Sequence, residues 1–296
     1  MAPSISIATS LIPGRDVELQ ATAIKSWRAC GLEVVSVNSA AEIPVLRTQF
    51  TDIGFNPAPR TAERIAGKPV PHIRDLLLSA RSSGDANGVI GFINSDILLR
   101  PVEGLAQTLY EHARDALVLL PRVDVADATA LASFRPSGNE AFSVGYDGVF
   151  MPARMLDDIP DNIFSIGMPF WDYWLPMIAI LKNRPLKSVA SPVALHVSHP
   201  SRWDGSIYLY FHALASDLLK IAGEMKAATP SPAFHLAIDA LGHVYHDMFE
   251  RGTKATQDAQ AVAALAAFYD RLQEVIVHHI KAHAQPIIIP NAGPTA

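Results

Sequence analysis

A single cysteine, Cys30, stands among 296 residues, so no internal disulfide can form and the chain suits a reducing compartment. It lies among helix-forming residues and reads as a packed thiol. Lysine and arginine nowhere gather into a run, and 24 of them against 29 acidic residues leave a formal charge of -5. That excludes the broad basic field that nonspecific nucleic-acid binding needs. Every apolar run is shorter than the roughly 18 residues of a membrane span. The first residues lack the basic segment ahead of an apolar stretch that marks a secretion signal, so a cytoplasmic protein is expected. Gly14 has no companions at dinucleotide-binding spacing. Repeats, low-complexity tracts and coiled-coil heptads are missing too.

What is present is a chain with 49% hydrophobic residues, enough for one large α/β domain or two smaller ones. Residues 4–9 read as a buried strand, broken by Pro13-Gly14 before Asp16, which would cap a helix reaching Cys30 and stopping at Gly31. Strand-like residues 33–38, a short helix over 40–50 and a strand over 52–55 continue the alternation. A helix over 73–83, a strand over 88–93, a helix over 102–113 and a strand over 116–120 follow. Such alternation predicts an α/β fold with a mixed, mostly parallel sheet flanked by helices. Between 126 and 140 periodicity fades, and a loop covering the site is expected. Residues 141–200 are aromatic and turn-rich, with a strand over 192–195. Beyond 206 the pattern turns helical, over 207–227, onward to 251, and over 257–284, with a frayed tail from 287. The expected division is an α/β domain over 1–204 and a helical C-terminal extension over 205–296. The Ala- and Leu-rich residues 261–267 would pack on that domain or support a homo-oligomer. His235, Asp239, His243 and Asp247 share one helical face and read as a solvated polar face, as do His278, His279 and His283.

In an open α/β sheet, ligands collect outside the carboxyl ends of the strands, and Asn94-Ser95-Asp96 sits at such an end. These three residue types are also common turn formers. A nucleotide-sugar donor carries a pyrophosphate whose negative charge grows as the glycosidic bond breaks. A carboxylate at that place holding Mn²⁺ or Mg²⁺ would act on the leaving group.

The segment Gly91-Phe92-Ile93-Asn94-Ser95-Asp96-Ile97 resembles the Asp-X-Asp motif of GT-A glycosyltransferases, with Asn in place of the first Asp. The resemblance extends to Ser36-Val37-Asn38-Ser39, Asp147-Gly148-Val149-Phe150, Phe170-Trp171-Asp172-Tyr173-Trp174-Leu175-Pro176 and His196-Val197-Ser198-His199-Pro200, and covers about residues 4–203. It implies sugar transfer from a nucleoside diphosphate donor to a hydroxyl of a sugar or lipid-linked acceptor. It implies Asp96, with His196 or His199, as holder of the cation, and Asn94→Asp would restore a second hard ligand. It implies Asp172 as general base, with Trp171, Tyr173 and Trp174 excluding water, raising its pKa and offering faces for a sugar.

Donor contacts would come from Thr9, Ser10 and Arg15 after the first strand and from Asn38, Asn94, Ser95 and Asp96. Sugar contacts would come from Asp147 and Gly148, where small residues admit close backbone approach, and from Trp171, Trp174 and Arg122, with Asp124 beside it. Two rivals remain: a nucleotidyltransferase, which would carry a Gly-rich basic loop where Leu11-Ile12-Pro13-Gly14-Arg15 stands, and a catalytically silent sugar- or nucleotide-binding protein, which Asn94 favours.

Overall fold

The computed structural model describes residues 4–85, 87–199, 207–224, 243 and 274–290. β1 (Ile5–Thr9) has no exposed side chain, as an apolar strand covered on both faces requires. After it come α1 (Val17–Ala29), β2 (Leu32–Asn38), α2 (Ile43–Gln49), β3 (Gly54–Pro57), the single turn α3 (Glu63–Ala66) and α4 (Ile73–Ser83). Then follow β4 (Val89–Ile93), β5 (Ile97–Leu99), α5 (Leu105–Ala113), β6 (Leu117–Leu120), β7 (Val123–Val125) and α6 (Ala128–Ser133). The last group is β8 (Gly148–Pro152), a 3-10 turn (Ala153–Asp158), α7 (Trp171–Leu181), β9 (Leu186–Val189), β10 (Ala194–Val197), α8 (Ile207–Glu224) and β11 (Gln285–Ile287).

The main sheet has the order β11-β9-β6-β8-β4-β1-β2-β3. Its pairs are parallel except those of β8, which runs antiparallel to both β4 and β6. The mixed, mostly parallel sheet of the sequence reading is therefore present. Helices cover both faces. Leu76 and Leu77 of α4, Trp174 of α7 and Tyr210 of α8 fill one core, while Ile24 and Trp27 of α1 and Leu105 and Leu109 of α5 fill the other. No described helix is long and apolar enough to cross a membrane.

Short strands were the hardest elements to foresee. β5, β10 and β7 form a second, three-stranded sheet that places His196 opposite both Ile97 and Asp124. His196 thus lies inside a strand, not beyond one, because the strand starts two residues later than expected. The loop expected over 126–140 contains α6, capped by the Asp127 carboxylate, which accepts from the Ala130 N–H at 2.8 Å. The frayed tail is also corrected. β11 joins the main sheet beside β9, and Ile287 and Ile289 are buried. His279 is buried against His283 and not solvated. The expected boundary at 204 and residues 261–267 lie outside the described residues, as do His235, Asp239 and Asp247.

Candidate functional site

Asn94, Ser95 and Asp96 form the turn by which the chain leaves the main sheet for the small one. The Ile97 N–H donates to the Asn94 carbonyl at 3.2 Å, and Trp27 Nε1 donates to the Ile97 carbonyl at 2.8 Å, which ties α1 to β5. Asp96 consequently faces β10. Its Oδ2 lies 3.6 Å from His196 Nε2 and 3.3 Å from His199 Nε2. One ligand atom from each of the three falls within 4.8 Å of the others. Both histidines join the cluster, where the sequence left one to be chosen. Burial works against the Asp96 charge, but hydrogen bonds to and the charges of His196 and His199 bring its pKa below the usual carboxylate range. Burial likewise works against protonated His196, and Asp96 outweighs it, raising that pKa.

Behind the cluster runs a connected polar chain. His196 Nδ1 meets Asp124 Oδ1 at 2.7 Å, so with Nδ1 as donor the tautomer leaves Nε2 as a lone pair toward Asp96. Asp124 also accepts from Ser143 Oγ at 2.7 Å and from Arg122 Nε at 2.9 Å. Arg122 reaches on to Asp147 Oδ2 at 2.6 Å, and the other oxygen of Asp147 accepts the Asn94 side-chain amide at 2.7 Å. Burial pushes the Asp147 carboxyl up, and Arg122 opposes the shift. Asn94 is therefore a specific donor to a buried carboxylate, and Arg122 and Asp147 pair with each other. Gly148 is corrected outright: it begins β8 inside the sheet, where an added Cβ would press on Leu120 and Ile93 at 3.0 and 3.3 Å.

Asp172 lies in the first turn of α7. Its pKa is pushed up to about 7 by burial and by the neighbouring Asp147 charge, against its own and the Tyr146 backbone N–H and Arg122. The partner that admits it is Gly145, with φ 101°, where a Cβ would stand 2.5 Å from Asp172 Oδ2. The sequence marked Gly145, with Gly148, as a place for close backbone approach beside Asp147; the group that approaches it is the Asp172 carboxylate. The aromatic neighbours Trp171, Tyr173 and Trp174 are themselves buried and offer no face to a sugar. Trp171 packs edge-on against Phe92, and Trp174, fully buried, stacks on Phe164 and donates Nε1–H to Asp217 at 3.0 Å.

At the end of β1, the Thr9 hydroxyl is buried and has no hydrogen-bond partner among the described residues. Ser10 and Ser95 are also buried. Asn38 is corrected from ligand contact to brace: fully buried, it donates to the Leu11 carbonyl at 2.7 Å and accepts from Ser36 Oγ at 2.6 Å. Gln20, unforeseen, fixes the loop through the Ile12 N–H at 2.8 Å and the Arg15 carbonyl at 2.6 Å. Arg15 itself pairs with exposed Asp16 at 3.1 Å.

Two cavities flank these groups. A larger one of about 770 Å³ lies against Leu98, Leu195, Val17 and Leu131. Since Leu195 and His196 point to opposite faces of β10, it backs the reverse face of the small sheet and contains none of the polar chain. The smaller, about 340 Å³, has Ser143, Gly145 and Tyr146 in its wall and so adjoins both Asp124 and Asp172. Chemistry, not volume, places the site.

No family model and no curated protein matches the chain. Solved structures do. Residues 1–349 of S. aureus TarS in complex with UDP-GlcNAc align at 13% identity and TM-score 0.50, covering 96% of this chain and 84% of that one. The mannosyltransferase PcManGT from Pyrobaculum calidifontis, in complex with GDP-Man and Mn²⁺, aligns at 13% identity and TM-score 0.39, covering 94% and 86%. A 4-diphosphocytidyl-2C-methyl-D-erythritol synthase from Anaerococcus prevotii aligns at 12% identity and TM-score 0.36, covering 70% and 95%. The architecture is that of the GT-A fold.

Proposed function

We propose that the protein transfers a sugar from a nucleoside diphosphate donor to an acceptor hydroxyl, with a divalent cation held by Asp96, His196 and His199. The observation that carries this reading is the convergence of three ligand atoms within 4.8 Å, with Asp96 just past the end of β4 in the main sheet. Two features favour a cation there. Asp124 orients His196 from behind, as outer-shell carboxylates do for metal-bound imidazoles. The Asn94 side-chain oxygen, Oδ1, is buried without a hydrogen-bond partner among the described residues. Two imidazole nitrogens suit Mn²⁺ better than Mg²⁺, which prefers oxygen ligands. When bound, such a cation supplies Lewis acidity to the departing diphosphate.

The chain's own residues do the rest. The unpartnered Thr9 hydroxyl is available to the donor, and the TarS complex makes a UDP-sugar the first donor to test. Asp172 takes the proton of the acceptor hydroxyl as that oxygen bonds to the anomeric carbon and the bond to the diphosphate oxygen breaks. A single displacement inverts the anomeric centre. Nucleotidyl transfer is the weaker reading, because the cation in the loop after β1, Arg15, is paired with Asp16. The single cysteine supports a cytoplasmic enzyme. Incubation with a panel of nucleotide sugars and Mn²⁺ tests the reading. Release of the nucleoside diphosphate is the expected result, and nucleotide binding with no turnover of any sugar would make the protein a silent binder.

A further inference from the structure

The cavity of about 340 Å³ beside Gly145 is built partly by residues far from the motif region. Val277, Lys281 and Ala284 come from the helical residues 274–283 and their end, and Pro286 from β11. Phe142, Tyr146, Val189 and Val277 make most of its wall apolar, and among the described residues Ser188 and Lys281 are its polar side chains outside 142–146. Among the described residues no acidic side chain lines it and Lys281 has no ion-pair partner. Its volume lies at the low end of the range of about 300–1,000 Å³ for small-molecule sites, which suits one ring and its substituents. One end abuts Gly145, the residue against which Asp172 rests.

We infer that this cavity receives the acceptor, and that the acceptor is a small hydroxylated acid, an apolar ring with a hydroxyl directed to the Gly145 end and a carboxylate facing Lys281. A single cation matches a monoanion. A phosphate dianion would call for a second positive group, and among the described residues the lining holds only Lys281. The apolar walls exclude a free monosaccharide, whose many hydroxyls would be buried without partners. The acceptor role rests on the glycosyl-transfer reading; recognition of the acid does not.

The two are separated by measuring binding first, with neither nucleotide nor metal present. 4-Hydroxyphenylacetate is titrated into the full chain by calorimetry, beside the neutral 4-hydroxyphenylacetamide and the dianion 4-hydroxyphenyl phosphate. The acid should bind at least about tenfold more tightly than the amide, and Lys281→Gln should remove that difference, the usual worth of a charge-assisted contact. Val277→Trp, which enlarges a half-buried side chain of the cavity wall, should abolish binding of all three while the chain stays folded by circular dichroism. Equal affinity for acid and amide, tighter binding of the phosphate, or binding that survives Val277→Trp overturns the inference. If the acid binds as stated but no nucleotide sugar is consumed in its presence, the transfer reading fails and the acid site stands. If sugar passes to other acceptors that the acid does not compete with, the transfer reading stands and this site does not.

Discussion

Asn94 gives its amide to Asp147, and Asp147 holds Arg122 with its second oxygen. A carboxylate at 94 would meet Asp147 at hydrogen-bond distance with no proton between them. Asn94→Asp should therefore cost about 1–3 kcal/mol of stability and weaken Mn²⁺ binding, the reverse of what the motif suggests. Thermal unfolding and a Mn²⁺ titration on one preparation check it; tighter Mn²⁺ binding by the variant would mean that the oxygen of residue 94 is a ligand. Asp172→Asn keeps the size of the side chain and an acceptor for the Tyr146 N–H, and should lower turnover by about 10²–10⁴. Wild-type turnover should rise with pH through about 7, where Asp172 loses its proton. A carboxyl whose folded-state pKa is raised costs stability as pH climbs from its ordinary 3.8 toward about 7. The variant should thus gain more melting temperature over wild type at about pH 8 than at about pH 5. Asp96, His196 and Asp172 stand out as candidates in the sequence because polar residues interrupt apolar segments there. The buried indoles were misjudged, although the run Trp171–Leu181 holds one charged residue in eleven, which marks a helix apolar on every side.

Among elements, the segment from Phe142 to Asp147 does the most to assemble the site. Ser143 reaches Asp124, Gly145 makes room for Asp172, and the Asp147 backbone carbonyl accepts the Asn94 N–H at 2.9 Å. Gly145→Ala would add left-handed strain of roughly 1–2 kcal/mol and drive a methyl into the Asp172 carboxylate. Turnover should collapse while Mn²⁺ affinity stays near wild type, since the cluster lies on other elements; equal loss of both would show that the loop supports the metal ligands as well. Alternating strands and helices in the first 120 residues were legible from periodicity, as long apolar runs with Gly and Pro breaks allow. β5, β7 and β10 span three or four residues each, too few for a period-two pattern to register. Their pairing is long-range, and it is what brings Asp124, His196 and Asp96 together.

At the scale of the whole molecule, α8 and the helical residues 274–283 belong to the same core as the motif region. Tyr210, Phe211, Leu214 and Leu218 of α8 are buried with α7, and Asp217 accepts from Trp174 and from Asn162. Truncation after Trp203 should therefore leave an insoluble chain, with the apolar face of α7 exposed; a soluble, monomeric fragment that still binds Mn²⁺ would show that the helices are dispensable. A change of composition near 200 looks like a boundary in the sequence, and the long-range contacts of α8 with α7 leave no local signal there. The central claim is that Asp96, His196 and His199 hold a cation for a nucleoside diphosphate, and calorimetric titration of UDP and GDP tests it most directly. The account predicts that one of them binds in Mn²⁺, that affinity falls sharply in EDTA, and that Asp96→Ala in Mn²⁺ behaves like wild type in EDTA. Equal affinity with and without the metal, or an Asp96→Ala protein that binds as wild type does, would contradict it.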